Sequence, residues 1–365
     1  MKILIQIGHP AQFHFYKNAV TEWQKRGHKV RLLIRKKDVL EKLVATSGFD
    51  YVNIEGKIYN KSSKIELIKL IFSRFYRLLY QVISFRPHVV ISPDPILAKI
   101  CRFSTAKFIA VSEDDYSVIK TLADLLFPSS DHILAPQVCD FSKWQHKKIG
   151  YAGYMKLAYL HPNRFRPQKS FVENNINAEK YILIRLVSLV AHHDEGVKGI
   201  NNNLLDRLIE IFESKGYVVF ISSEKELQDK YKCYKLNTAV EVIHHVMAFA
   251  SFVICDSQSM AVEAAMLGVP SIRFNDFAGK ISVLEELEHK HGLTYGIQTS
   301  EPEKLYEKIE ELLAIPNLQE EFQARRQRML ADKIDVTAFL VWFIENYPKS
   351  AEIMQETPDY QLKFK

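Results

Sequence analysis

The sequence predicts an α/β protein of two doubly wound parallel-sheet domains facing each other across a cleft. Three observations carry this. A chain of 365 residues is long enough for two domains of ordinary size. Short apolar runs alternate with longer amphipathic stretches, the pattern of strands covered on both faces by crossover helices. That rhythm lapses between residues 137 and 179, where Gly150, Gly153, Pro162 and Pro167 punctuate a stretch of aromatic and basic residues, which places a domain boundary there.

The elements follow in order. Residues 2–8 are an apolar run and read as the first strand; residues 12–26 read as a helix stopped by Gly27. Strand 30–35, helix 37–46, strand 50–55, a long helix 62–85, strand 88–94, helix 96–103, strand 108–113, helix 117–127 and strand 132–135 complete a first domain, residues 1–165. The second, residues 166–345, repeats the alternation: strand 181–187, helix 204–215, strand 217–222, helix 240–250, strand 252–256, helix 259–267, strand 271–275, and helices 281–289 and 303–314. Phe339, Leu340, Trp342 and Phe343 mark residues 336–346 as a helix packed on one or both domains, with 346–365 as a C-terminal tail.

Composition removes several classes. With 47% hydrophobic and 25% charged residues, and only 13 Gly and 13 Pro, the chain is neither disordered, collagen-like nor low-complexity. Cys101, Cys139, Cys233 and Cys255 are far apart and form no C-x-x-C pair, so a disulfide framework or zinc ribbon is not expected and a reducing cytoplasm is. The run before His9 and Pro10 is too short for a signal-peptide core, and no stretch approaches the ~20 apolar residues of a spanning helix. A cytoplasmic protein, peripheral at the inner membrane face, is the expected location.

The net charge of +6 conceals an asymmetry: residues 1–165 hold 26 Lys/Arg against 13 Asp/Glu, and residues 166–365 hold 23 against 30. A basic first half fits an anionic partner or a solvated basic surface. Within it, Lys61, Lys64, Lys69, Arg74 and Arg77 interleave with Leu67, Ile68, Ile71, Phe72, Phe75, Leu78 and Leu79. Residues 61–77 therefore suit a membrane surface, with core packing as the alternative reading of the apolar stripe. No nucleic-acid recognition motif is present, and no nucleic-acid partner is expected.

Ligands of doubly wound sheets bind beyond the carboxyl ends of the strands, so the strand-to-helix loops carry the chemistry. In Phe252-Val-Ile-Cys-Asp-Ser-Gln-Ser-Met-Ala-Val-Glu263, a strand ends at Asp256, and Ser257, Gln258 and Ser259 open a helix whose first N–H groups suit a diphosphate. Glu263 shares a helix face with Ser259 and suits ribose hydroxyls. An ordinary Ser-capped helix reads equally well. His9 follows the first strand, where a dinucleotide domain would show G-x-G-x-x-G, so it suits a sugar contact, a base or a structural turn rather than a nicotinamide site. Asp94, between Pro93 and Pro95, is expected to point past the sheet. Glu113, Asp114 and Asp115 end the neighbouring strand, and proximity to Asp94 would raise one pKa and make an acid–base pair. His192 and His193 follow the first strand of the second domain, and Arg185 within that strand suits either the diphosphate or an ion pair. No metal site is expected.

The run Asp256-Ser257-x-Ser259-x3-Glu263-Ala264-x3-Gly268-x-Pro270 resembles the nucleotide-sugar motif of GT-B proteins, the GT-B glycosyltransferases and the non-hydrolysing UDP-GlcNAc 2-epimerases. Together Gly8-His9-Pro10-Ala11-Gln12-Phe13-His14-Phe15, Ser92-Pro93-Asp94-Pro95 and Val190-Ala191-His192-His193-Asp194 resemble the domain of unknown function 354 family, itself GT-B-like. The chain departs from the epimerases at Gln258-Ser259, where they carry two glycines; at Val111-Ser-Glu-Asp-Asp-Tyr-Ser117, where they carry H-x-E-A-G-L-R; and at His192-His193, where they carry His-Arg.

The resemblance implies two Rossmann-like domains in a GT-B arrangement, with a nucleotide diphosphate sugar, a UDP-sugar in expectation, held by Ser257, Ser259 and Glu263. It implies an enzyme of cell-surface polysaccharide or glycan biosynthesis with no cofactor. Transfer to a glycan or lipid-linked acceptor is the expected reaction, with Asp94 or His9 as base and His192 aiding the leaving group. Epimerisation at C2 and non-catalytic nucleotide-sugar binding are the alternatives.

Overall fold

The computed structural model describes residues 1–35, 38–55, 64–174, 176–187, 199–224 and 226–365. It divides the chain into two compact units: Met1–Tyr159 with Ile334–Lys365, and Leu160–Lys333.

The first unit is a seven-stranded parallel sheet in the order β3-β2-β1-β4-β5-β6-β7, with β1 at Lys2–Ile7, β2 at Lys29–Ile34, β3 at Tyr51–Asn53, β4 at Val89–Ile91, β5 at Lys107–Val111, β6 at His132–Pro136 and β7 at Lys148–Tyr151. Ile3, Leu4, Ile5 and Ile7 of β1 are fully buried, as the apolar run requires of a strand with neighbours on both edges and helices on both faces. The order reverses beside β1. Because parallel crossovers are right-handed, the connections on the two sides of that point place their helices on opposite faces. Helices Pro10–Lys25 and Asp38–Thr46 pack together on one face, and Lys64–Phe85, Pro95–Cys101 and Tyr116–Leu126 pack in sequence on the other.

The second unit is a five-stranded parallel sheet, β12-β11-β10-β8-β9, with β8 at Tyr181–Leu186, β9 at Val218–Ser223, β10 at Phe252–Cys255, β11 at Ser271–Phe274 and β12 at Tyr295–Ile297. All four residues of β10 are fully buried, which fits its place at the middle of the sheet.

The chain divides at Tyr159 rather than at 165, and residues 334–345 join the first unit instead of closing the second. Thr337 Oγ1 donates to Ala158 O at 2.6 Å and Ile334 N to Ala152 O at 2.9 Å. A Cβ on Gly153 would lie 2.6 Å from Val336 Cγ2, so glycine lets the loop after β7 meet the Val336–Glu345 helix. The expected tail is structured: helix Lys349–Glu356 precedes a 3-10 turn at Pro358–Phe364, whose Phe364 and Tyr360 rings pack on Trp342. Strands β7 and β12 and helix Leu318–Asp332 are additions to the sequence-based elements.

Candidate functional site

In the second unit, β10 is followed by Asp256, whose Oδ1 accepts the Val187 N–H at 2.8 Å and whose main-chain O accepts Asn275 Nδ2 at 2.9 Å. These bonds tie together the loops after β8, β10 and β11. Asp256 is only 4% exposed, and burial pushes its carboxyl up to about 6. Ser257 then caps the Gln258–Leu267 helix, its Oγ accepting the Met260 N–H at 3.3 Å, and its main-chain O accepts from Ala261. The N–H groups of Gln258 and Ser259 are left without a hydrogen bond among the described residues, and both residues are half-buried. Two unused donors at the positive end of a helix form a seat for an anion.

The rest of this helix is fixed from two sides. Glu263 is buried one turn in, its Oε1 3.2 Å from His244 Nε2 on the Ile243–Ala248 helix, so the carboxylate is held in place rather than swinging in solvent. Gly268 ends the helix at φ 69°, and Gln323 Nε2 donates to the carbonyls of Leu267 and Gly268, while Arg326 Nε donates to that of Met266. Cationic and amide donors at the carboxyl end complement the dipole.

Arg185 forms the ion pair that is one of its two sequence readings: its Nη1 donates to Ser222 Oγ at 2.8 Å and its Nη2 to Glu224 Oε1 at 2.6 Å. His192 and His193 lie outside the described residues.

In the first unit, His9 is exposed and caps the Pro10–Lys25 helix through Nδ1, which accepts the Ala11 N–H at 3.2 Å. A neutral ring in that role carries its proton on Nε2. Asp94 corrects the sequence expectation: its carboxylate does not point past the sheet. It is 3% exposed, caps the Pro95–Cys101 helix through Oδ1, and takes Gln6 Nε2 at 2.8 Å and the Arg74 guanidinium on Oδ2. Ser92 completes the network, donating to Gln6 Oε1 at 2.7 Å and accepting the Asp94 N–H.

The expected carboxylate pair does not form either. Although β4 and β5 are neighbours, Glu113 turns to the loop after β7, where Oε1 accepts the Met155 N–H and Oε2 meets Lys156. Asp115 is buried and accepts the Asp140 N–H at 2.7 Å. Asp94, Glu113 and Asp115 thus each bond to groups outside the expected pair. Among the described residues no group of three His, Cys, Asp or Glu is arranged to hold a metal.

Sequence reasoning passed over two side chains. His244, which orients Glu263, stands nineteen positions away and gives no local signal. Arg273 sits inside β11 at 1% exposure, with Nε, Nη1 and Nη2 all lacking a hydrogen-bond partner among the described residues. Its signal was legible: one cation inside the strand Ser-Ile-Arg-Phe, where an unpaired buried charge is unfavourable.

The fold is shared with known proteins. The UDP-GlcNAc 2-epimerase from Neisseria meningitidis bound to UDP-GlcNAc superposes with a TM-score of 0.65 at 13% identity, covering 88% of this chain and 94% of that one. CalG4, the calicheamicin glycosyltransferase, gives 0.57 at 13% identity over 95% and 99%. By sequence, the UDP-N-acetylglucosamine--N-acetylmuramyl-(pentapeptide) pyrophosphoryl-undecaprenol N-acetylglucosamine transferase of Caldanaerobacter subterraneus subsp. tengcongensis is 22% identical over 323 residues, 80% of this chain and 85% of that protein. The two parallel, helix-covered sheets are thus GT-B-like, as the motifs imply. The model of the family described as "Protein of unknown function (DUF354)" matches residues 1–283, and the chain belongs to that family.

Proposed function

We propose that this chain is an enzyme that binds a nucleoside diphosphate sugar through the amino end of the Gln258–Leu267 helix. The observation that carries the reading is the pair of N–H groups at Gln258 and Ser259 with no hydrogen bond among the described residues, next to the Ser257 cap and one turn from the oriented Glu263. The diphosphate would take the two donors, and Glu263, steadied by His244, would receive the ribose hydroxyls. Titration calorimetry with UDP-, GDP-, CMP- and dTDP-sugars tests it. Glu263→Ala should weaken the sugar nucleotide that binds by about 1–3 kcal/mol, the usual consequence of leaving hydrogen-bonding groups unpaired. Equal affinities would remove Glu263 from the site.

For the reaction, epimerisation at C2 has the stronger support, because the UDP-GlcNAc 2-epimerases from Neisseria meningitidis and Methanocaldococcus jannaschii superpose with higher TM-scores, 0.65 and 0.60, than CalG4 at 0.57. Transfer to an acceptor is favoured by the 22% identical transferase. Of the two bases expected for transfer, Asp94 is engaged by Arg74 and Gln6, while His9 is exposed but spends its Nδ1 lone pair on the Ala11 N–H, so it would have to release that cap to take a proton. Turnover in heavy water separates the two. Epimerisation through proton removal at C2 returns a solvent deuteron there, whereas transfer releases nucleoside diphosphate only with an acceptor and leaves C2 unlabelled.

A further inference from the structure

The Lys64–Phe85 helix presents two faces of opposite character. Leu78, Gln81, Val82 and Phe85 are buried toward the sheet. On the outward side Ile68, Phe72, Tyr76, Tyr80 and Ile83, three and four residues apart, form one stripe, each more than half exposed. Large apolar side chains scattered singly over a surface need no explanation; a continuous stripe does. The tertiary structure widens it. Phe103, at the end of the neighbouring Pro95–Cys101 helix, is 94% exposed, and Leu122 and Leu125 of the Tyr116–Leu126 helix are exposed on the same side of the sheet.

Charge selects what covers this face. From Ile68 to Arg102 the chain has a single acidic residue, Asp94, and it is buried against Arg74. Lys69, Arg77, Arg86, Lys99 and Arg102 are all exposed. A second copy of the chain would bring the same cations against one another. A bilayer with anionic headgroups meets both needs, since apolar side chains enter the headgroup boundary while lysine and arginine meet phosphates, and Tyr76 and Tyr80 carry the amphipathic rings that sit at that level. Among the described residues no helix is long and apolar enough to cross a membrane, so the contact lies on the surface.

We infer that this face of the first unit, centred on the stripe from Ile68 to Ile83 and extended by Phe103, docks on membranes bearing anionic phospholipid. The inference is independent of the sugar-nucleotide reading.

Flotation of the full chain with vesicles tests it, using phosphatidylcholine alone and phosphatidylcholine mixed with phosphatidylglycerol. The chain should float with the anionic vesicles and release as salt rises. Lys99→Gln with Arg102→Gln should lower the partition coefficient about 25-fold, from roughly fivefold per cation. Phe72→Ser with Ile83→Ser should abolish flotation while the melting temperature stays at the wild-type value, as expected for exposed positions. Equal flotation with both vesicle types, or flotation unchanged in both variants, overturns the inference. So does a concentration-dependent dimer that Phe72→Ser dissociates, which would give the face to a second copy.

Discussion

Asp256 offers a quantitative test of how the mouth of the anion seat is built. Its carboxyl is raised from 3.8 to about 6, chiefly by burial, so the native state holds a proton that the unfolded chain has already released. The sign follows from linkage. Below about pH 4 both states are protonated and the group has no effect; between about pH 4 and 6 the native state binds more protons, so stability falls as pH rises. Above about pH 6 the buried carboxylate is a constant burden of about 3 kcal/mol, from about 1.4 kcal/mol per pKa unit. Asp256→Asn keeps an oxygen to accept the Val187 N–H and cannot ionise. With each protein referred to its own stability at about pH 3, urea unfolding followed by far-UV circular dichroism should show the variant gaining about 3 kcal/mol on wild type by about pH 7. Parallel stability curves across that range would refute the argument. A diphosphate bound at Gln258 and Ser259 would raise the carboxyl further, so calorimetry near pH 6 in buffers of different ionisation enthalpy should record proton uptake on binding.

Three further outcomes are expected. Arg273→Met should raise the melting temperature, because the guanidinium is buried with no hydrogen-bond partner among the described residues and the attraction of Glu288 and Glu285 only partly offsets its desolvation; a lower melting temperature by scanning calorimetry would mean that those carboxylates compensate the charge. Gly268→Ala should destabilise by about 2 kcal/mol or more in denaturant unfolding, since φ is 69° and the new Cβ would lie 2.7 Å from Gln323 Nε2; an unchanged midpoint would show that Gln323 moves aside. Arg74→Met should destabilise by about 3 kcal/mol by leaving the Asp94 carboxylate buried without its cation, and adding Asp94→Asn should recover part of the loss. Strict additivity in that cycle would deny the pair its structural role.

What the sequence determined by itself was whatever is encoded over a few consecutive residues. The apolar run of β1, the helical spacing after Pro10, the stop at Gly27 and the Ser257 cap each depend on neighbours within about one or two turns, so periodicity and capping reveal them. β7 and β12 escaped because Lys-Ile-Gly-Tyr and Tyr-Gly-Ile are too short to show a period and each contains glycine. Tertiary structure alone decided the partners. Asp94 is a buried cap rather than a projecting base because Arg74 and Gln6, 20 and 88 positions away, reach it. Glu113 belongs to Lys156, Arg185 to Glu224 and Glu263 to His244 for the same reason: an ionisable side chain removed from water takes whatever counter-charge the packed helices and loops bring beside it. The return of residues 334–365 to the first unit is also non-local, fixed by the fit of Val336 over Gly153 and by hydrogen bonds to Ala152 and Ala158. The apolar residues interleaved with the cations of 61–77 read from sequence as a membrane surface or, more simply, as core, and the stripe from Ile68 to Ile83 emerges only in the structure. Only the packing of the opposite face of that helix, through Leu78, Val82 and Phe85, turns the stripe outward, because a single helix cannot bury both sides against one sheet.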